Sequence, residues 1–336
     1  MIGDAFDVIE ADARQVLDGL GRYTIAVNDP PWSNIVDSIA PPVRVINAWE
    51  MEMSHLDTLV EDDVECDVIV GFGGGTALDT AKYLAWRTGR RLVQIPTITS
   101  VDAGFTDAVG IRDRGRVRYV GVVRPETVVL DLDLIRSAPK RLNRGGIGDI
   151  LSCHTGMFDW RLAVAAGHEP GWRDDLAALG ATLLAELDEA AEEISEVSVD
   201  GVRFLADAYR RIGAACAEAG HSRFEEGCEH HWAYCYEHQT GAHQVHGELI
   251  AFAVVAMSYI QGNDAEWAAD LVTRSGCRAN PTELGITRDQ FTTAVAALPT
   301  YARAEGLDMT FADLAPMPDD VVSVAWDLVS SLREGR

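Results

Sequence analysis

Five of the nine histidines fall in one short stretch, His230, His231, His238, His243 and His246, with Cys228 and Cys235 among them. A single histidine is ordinarily a core or surface group; five so close together indicate metal ligands. Two arrangements compete. A closed Cys/His zinc knot needs paired ligands, and the spacing 228, 230, 235 supplies no such knuckle. An open catalytic site needs two histidines and a carboxylate from elsewhere, leaving a coordination position for substrate. Asp149, in Gly145-Gly146-Ile147-Gly148-Asp149, is the carboxylate expected to complete it. It follows a glycine-rich break and opens a helix, with His230 on a second helix and His246 in the loop that opens a third. Two histidines and one aspartate suit Zn²⁺, and also Fe²⁺ or Ni²⁺.

A second chemical signal lies upstream. The apolar run Cys66–Val70 leads into Gly71-Phe72-Gly73-Gly74-Gly75-Thr76-Ala77-Leu78-Asp79-Thr80-Ala81-Lys82. Glycines let backbone N–H groups approach a phosphate, and a following helix N-terminus favours the anion. Strand, triple glycine and helix together predict a dinucleotide pyrophosphate site. The sequence is not a Walker loop, because no Gly-Lys-Ser/Thr follows. Asp79 and Lys82 are three apart and project from one helix face. Asp29, after the first clear strand, stands where an acid accepts hydrogen bonds from a ribose. That placing favours NAD over NADP, since a carboxylate repels a 2′-phosphate.

The elements that must position these residues fall into two textures. Up to about residue 145, short apolar runs (Tyr23–Val27, Val43–Ile46, Cys66–Val70, Leu92–Ile95, Thr127–Leu130) alternate with helical stretches (Ala11–Leu20, Ser54–Val60, and the helix through Trp86). That alternation predicts βαβ units and a Rossmann-like parallel sheet. Ala108–Val120 reads as a β-hairpin around Arg112-Asp113-Arg114-Gly115. The alternating Arg112, Arg114, Arg116 and Arg118 are expected to share one face. Beyond residue 146 the strand signal fades and helices are expected throughout, Asp149–Ala166, Trp172–Ser195, Gly201–Ala219, Glu229–Glu237, Glu248–Ile260, Asp264–Ser275, Arg288–Ala297 and Asp319–Arg333. The expectation is therefore an α/β nucleotide-binding domain, 1–145, and an all-α metal and substrate domain, 146–336, with Asp149 at their junction.

Composition narrows the partners. The formal charge of −25 opposes binding to nucleic acid or an anionic membrane. No apolar run approaches transmembrane length, and Met1–Asp7 lacks the basic and apolar regions of a signal peptide, so a cytoplasmic protein is expected. The six cysteines form no CxxC pair and are expected to be reduced. Lys82 and Lys140 are the only lysines among 28 basic residues, which singles out Lys82.

These motifs, in this order over roughly residues 66 to 250, resemble those of the sn-glycerol-1-phosphate dehydrogenases, within the wider group of glycerol dehydrogenase, iron-containing alcohol dehydrogenases and dehydroquinate synthase. Gly73–Lys82 is similar to the group's GGGxxxDxAK loop. Pro96-Thr97-Ile98-Thr99-Ser100-Val101-Asp102 is similar to PTxxSxD. Gly146–Asp149 with Asp159-Trp160-Arg161-Leu162 resembles GxGD…DWRL, and Ser222-Arg223…Gly227-Cys228-Glu229-His230 with His246-Gly247-Glu248 resembles SRPxSGSEH…HGE. The resemblance implies an NAD or NADP site using Gly73, Gly74, Gly75, Thr76, Asp79, Lys82, Thr97 and Ser100. It implies a metal held by Asp149, His230 and His246, places Asp102 near nicotinamide and substrate, and suggests a homo-oligomer.

Three departures fall near the implied substrate pocket. Tyr234 stands where the group has a second histidine four residues after His230, SHDG reads Ser100-Val101-Asp102-Ala103, and SGSEH reads Glu226-Gly227-Cys228-Glu229-His230. The implied reaction is reversible reduction of a ketone like dihydroxyacetone phosphate to a polyol phosphate. Asp102, Tyr234 or water are its candidate proton carriers, and Arg223 or the arginine ribbon its candidate phosphate ligands. Two other readings stand beside it. A dehydroquinate-synthase-like cyclase would need a phosphate-gripping basic set from a chain with two lysines. A catalytically silent nucleotide- or metal-binding paralogue draws on the missing histidine.

Overall fold

The computed structural model describes residues 6–62, 64–315, 317–333 and 335. The chain divides into two compact units, Met1–Pro139 with Tyr209–Glu218, and Lys140–Ala208 with Ala219–Arg336. The division falls somewhat before residue 145 because the short helix α5 (Lys140–Arg144) is tied into the second unit. Arg144 Nε donates to Ser195 O at 2.7 Å, and Lys140 pairs with Glu196 at 3.2 Å. Tyr209–Glu218 joins the first unit, where the Tyr209 hydroxyl donates to Thr99 O at 3.0 Å and its ring packs 5.6 Å from that of Phe105.

The first unit holds β1 (Asp7–Glu10), α1 (Ala13–Gly19), β2 (Tyr23–Val27), β3 (Arg44–Asn47), α2 (Met53–Glu61), β4 (Val68–Gly73), α3 (Gly75–Thr88), β5 (Arg91–Pro96), β6 (Ala108–Asp113), β7 (Arg116–Val122), β8 (Thr127–Leu130) and α4 (Leu132–Ser137). Six strands form a parallel sheet in the order β1-β8-β5-β4-β2-β3. Burial on both faces explains why β2 and β4 read as continuous apolar runs. The edge strand β1 escaped the sequence reading: Asp-Val-Ile-Glu offers only two apolar residues and is largely exposed. From β2 the chain steps outward to β3, and from β4 it steps the other way to β5, so the order reverses between β2 and β4. In open α/β sheets, ligands bind beyond the carboxyl ends of strands at such a switch point.

β6 and β7 form the expected hairpin, but its arginines do not share a face. Arg114 (φ 53°) and Gly115 (φ 71°) make a two-residue turn, which sets Asp113 opposite Arg116, Arg112 opposite Val117 and Ile111 opposite Arg118. Residues directly opposite lie on one face. Arg116 and Arg118 therefore lie on the face away from Arg112, and Arg114 is in the turn. Glu52 fixes the turn by accepting from Arg114 N at 2.9 Å and Gly115 N at 2.8 Å.

The second unit is helical throughout its described residues. After α5 come α6 (Ile147–Leu151), α7 (Cys153–Ala165), α8 (Asp174–Glu196), the first half of α9 (Val199–Ala219), α10 (Cys228–Thr240), α11 (His246–Gln261), α12 (Ala265–Ser275), α13 (Pro281–Leu284), α14 (Arg288–Glu305), α15 (Phe311–Leu314) and α16 (Asp319–Ser330). The single helix expected over 149–166 is two, broken at Ser152. α14 runs on past Pro299 to Glu305, beyond the end expected at Ala297. α11 is buried along nearly its whole length, which is why it shows no polar face. Among the described residues, no helix is long and apolar enough to cross a membrane.

Candidate metal centre and nucleotide turn

Two helix starts converge on α6 in the second unit. A Cβ on Gly148 would lie 2.4 Å from Gly247 O and 2.6 Å from Gly247 Cα. Only glycine at 148 permits that approach of α6 to the first turn of α11. Asp149 follows Gly148, and His246 precedes Gly247. The backbone contact thus carries the two ligand candidates with it, and His246 Nε2 lies 3.3 Å from Asp149 Oδ1. His230 enters from α10, its ring 5.4 Å from that of His246. One ligand atom from each of Asp149, His230 and His246 lies within 4.8 Å of the others. Asp149 and His230 are 2% and 3% exposed, and His246 is half-buried. That donor set, two imidazoles and one carboxylate on three helices, fits a divalent cation with a position left open.

The other histidines do not join them. His231 is buried, and burial pushes it down to about 4, so it is neutral. His238 packs on Tyr301, and His243 is exposed.

Behind His230 sits a carboxylate that sequence reasoning left out of the site. Glu229, fully buried, accepts from His230 Nδ1 at 2.9 Å and from Gly227 N at 2.7 Å. This fixes the His230 tautomer and leaves Nε2 to face a cation. Burial alone would lower the His230 pKa. The Glu229 bond and the charges of Glu226, Glu229 and Asp149 outweigh it and hold His230 up at about 9 in the absence of a cation. Burial would raise Glu229, but the same bond and the Gly227 N–H keep it below its ordinary value. The signal was the adjacent Glu-His pair, but only the helix start aims the carboxylate at the neighbouring ring. Glu229→Gln is expected to weaken metal binding by about 10- to 100-fold with little change in fold, checked by titrating metal into apoprotein. Undiminished affinity would show that Glu229 does not orient the ligand.

Asp159 anchors the start of α10. It is fully buried, accepting from Cys228 N and from Phe311 N, each at 2.7 Å. Burial and the charge of Glu229 push it up to about 6 despite those bonds. Asp159, Cys228 and Glu229 also cluster closely enough to bind an ion. Both oxygens of Asp159 are committed to backbone N–H groups, and Glu229 Oε1 to Gly227 N and His230 Nδ1.

Tyr234 lies one turn beyond His230, ring centres 6.0 Å apart, and its hydroxyl donates to Glu226 Oε1 at 3.1 Å. Arg223 is buried. It donates to Met309 O at 2.7 Å, and its charge bears on His231.

In the first unit, Gly73–Gly75 link the end of β4 to the start of α3 at the switch point. The anticipated residues are joined there by Asn28, which directly follows β2 and was not anticipated. Asn28 Oδ1 accepts from Gly74 N at 2.9 Å, and its Nδ2 donates to Ala48 O at 2.8 Å and Thr76 Oγ1 at 3.0 Å. A Cβ on Gly73 would strike Asn28 Oδ1 at 2.4 Å. Only the pairing of β2 with β4 reveals this staple. Ile98 and Val101 border the turn, each close to where a Cβ on Gly74 or Gly75 would stand, and Thr76 is exposed. Thr97 N donates to Gly73 O at 2.9 Å; Thr97 and Ser100 are buried, and Asp102 is half-buried in a short 3₁₀ turn.

Lys82 is turned inward at 1% exposure. Its ammonium pairs with Asp79 at 2.8 Å and donates to Ala108 O at 2.6 Å and Thr106 Oγ1 at 3.3 Å. That pair braces α3 against β6. Asp29 is exposed and accepts from Ser33 N and Oγ, so its carboxylate shapes the turn after β2.

A parallel sheet with a glycine turn at its switch point, together with a helical unit, is the fold of the glycerol dehydrogenases and iron-containing alcohol dehydrogenases. Residues 33–139 match the family described as iron-containing alcohol dehydrogenase. A glycerol-1-phosphate dehydrogenase [NAD(P)+] of Hyperthermus butylicus is 32% identical over 237 residues, 70% of this chain and 67% of that protein. One of Sulfurisphaera tokodaii is 30% identical over 261 residues, 77% and 74% of the two chains. Among solved structures, a probable glycerol dehydrogenase from Sinorhizobium meliloti superposes with a TM-score of 0.73 at 21% identity, covering 97% of this chain and 96% of that one. The chain belongs to the glycerol-1-phosphate dehydrogenase family, within the iron-containing alcohol dehydrogenases.

Proposed function

We propose that the protein is a metal-dependent NAD(P)(H) oxidoreductase interconverting a small vicinal polyol, free or phosphorylated, and its ketone. The observation that carries this is the convergence of buried Asp149 and His230 with half-buried His246, braced by Glu229. The names of the relatives put sn-glycerol 1-phosphate and dihydroxyacetone phosphate first among substrates to try.

A divalent cation held by the three residues, zinc or else iron or nickel, supplies Lewis acidity to a carbonyl or hydroxyl oxygen. A nicotinamide cofactor supplies or takes the hydride. The chain's residues do the rest. Asp149 contributes a charged ligand that attracts a divalent cation more strongly than the single proton it also favours at His230. Glu229 holds His230 in one tautomer. Asn28 shapes the glycine turn for a dinucleotide by holding Gly74 N–H, while Thr76 at the exposed start of α3 is left to meet a phosphate. Asp79 and Lys82 brace α3, the helix that the turn opens, against the 106–108 segment, and Thr97 buttresses the turn through Gly73. Tyr234 and Asp102 are the groups proposed to carry the proton to or from the substrate oxygen. The protein is proposed to work in the cytoplasm as a homo-oligomer.

The test is NAD(P)H oxidation with dihydroxyacetone and with dihydroxyacetone phosphate, before and after dialysis against chelator. Activity is expected to vanish with the metal and return on adding Zn²⁺, Fe²⁺ or Ni²⁺. Turnover indifferent to chelator would overturn the metal mechanism. No hydride turnover with any polyol or hydroxyketone would favour a silent binding protein.

A further inference from the structure

Strand order restricts how a dinucleotide can lie on the first unit. With its pyrophosphate on the glycine turn at the end of β4, it can extend to either side. On one side is β5, whose exit carries Thr97, Ser100 and Asp102. On the other are β2 and then the edge strand β3. The residues proposed for the reacting end of the cofactor occupy the β5 side, so the adenosine end crosses β2 towards β3. Neighbouring strands are about 4.8 Å apart, which puts β3 about 10 Å from β4, the reach of a ribose and its base.

β3 ends at Asn47, and Ala48 and Trp49 follow. Ile46 and Ala48, each at 4% exposure, are part of the core, but Trp49 is 73% exposed, the most exposed large hydrophobic side chain among the described residues. A side chain of that size forfeits a large burial gain when left in water, so packing within the unit does not account for it. Its backbone is nevertheless held in register with the glycine turn. Asn28 Nδ2 donates to Ala48 O at 2.8 Å while Asn28 Oδ1 accepts from Gly74 N at 2.9 Å, and Ala48 N donates to Val27 O at 2.9 Å. The indole meets the ring of His55 on α2 at 5.6 Å and 46°, an inclined contact that steadies it and leaves most of its surface in solvent.

We propose that Trp49 is the platform on which the adenine ring of the nicotinamide cofactor stacks. The inference rests on the NAD(P)(H) reading above and adds the group that grips the adenine end. An aromatic ring under a base is worth about tenfold or more in affinity, and the broad indole suits the broad purine. Asp29 follows Asn28 as Trp49 follows Ala48, and Glu50 comes next. Acids there do not oppose a neutral base, and a carboxylate accepts from a ribose hydroxyl.

The test is titration calorimetry of ADP, NADH and reduced nicotinamide mononucleotide into the wild-type holoenzyme, Trp49→Ala and Trp49→Phe, with intrinsic fluorescence followed alongside. Trp49→Ala is expected to weaken ADP and NADH about tenfold or more, and to leave the mononucleotide, which has no adenine, within about twofold. Trp49→Phe keeps an aromatic face and is expected to retain most of the affinity. ADP is expected to change the fluorescence of the wild type by covering one of its eight tryptophans, and to change that of Trp49→Phe far less while still binding. If Trp49→Ala does not fold, the fluorescence comparison decides. Wild-type ADP affinity in Trp49→Ala overturns the inference, whether or not the association state of the chain alters. So does a loss shared equally by the mononucleotide, or a fluorescence change that persists at full size in Trp49→Phe. Each of these leaves the dehydrogenase reading standing. A wild type that binds none of the three ligands overturns the dinucleotide reading itself, and the inference falls with it.

Discussion

Asp149→Asn is expected to empty the metal position and lower kcat/KM by about 10³-fold or more. That loss corresponds to about 4 kcal/mol of Lewis-acid stabilisation at 1.36 kcal/mol per decade. The amide fits the space of the carboxylate but brings no charge, and charge is what decides the contest between cation and proton here. Without metal, His230 is held at about 9, and Asp149 is one of the groups holding it there. Metal must displace that proton, so apparent affinity is expected to rise about tenfold per pH unit up to about 9 and level off above it. The sign follows from His230 being protonated in the apoprotein below that value and unable to ligate until the proton leaves. Asp149 is also buried at 2% exposure beside an imidazole it helps keep protonated, so removing its charge takes one of the counter-charges from His230 in the apoprotein. The apoprotein is accordingly expected to melt lower than wild type while still folding, and metal binding is compared between folded apoproteins. Metal analysis, titration calorimetry from pH 6 to 9 and thermal melts of the apoprotein together check this. Stoichiometric metal in Asp149→Asn, or affinity that ignores pH, would rule out the assigned ligand set.

Much of the site was written in local sequence, because its residues sit at element ends that announce themselves. The glycine turn follows an apolar run and precedes a helix, so Gly73–Gly75 and Thr76 could be placed from the pattern alone. The crowded histidines and the Gly-Asp junction marked three ligand candidates that the fold does bring within reach of one ion. What could not be read depends on pairing across the chain. Asn28 acquires its task only because β2 lies beside β4. Glu229 acquires its own because α10 begins at Cys228 and turns that carboxylate back onto the next side chain. Asp79 and Lys82, placed on one helix face by their spacing, do pair, but only the packing shows that the ammonium also turns inward to two oxygens on the 106–108 segment. The arginine ribbon failed for a simpler reason. Alternation along the sequence assumes an unbroken strand, and a two-residue turn between Asp113 and Arg116 inverts the phase.

Gly148→Ala offers the sharpest test of how the centre is assembled, because its expected effect opposes the ordinary one. Glycine to alanine inside a helix normally stabilises by about 0.5–1 kcal/mol through the entropy of the unfolded chain. At 148 the added methyl would meet Gly247 O at 2.4 Å, Gly247 Cα at 2.6 Å and Gly247 C at 2.9 Å. All three are backbone atoms, so no flexible side chain can yield, and α6 and α11 must separate by about 1 Å to restore ordinary contact. Overpacking of this kind costs about 1–3 kcal/mol. The separation acts directly on the Asp149–His246 approach of 3.3 Å, since those residues adjoin the two glycines. Ligand positions within about half an ångström of the productive geometry are what a pre-organised site requires. Metal affinity is therefore expected to fall by at least about tenfold, with a lowered melting temperature in the apoprotein as well. Thermal melts and metal titration on the same preparation test both effects at once. An alanine variant that melts at or above wild type and keeps its metal would mean that the two helices are held apart by something other than this glycine contact. The convergence of Asp149 and His246 would then need another cause.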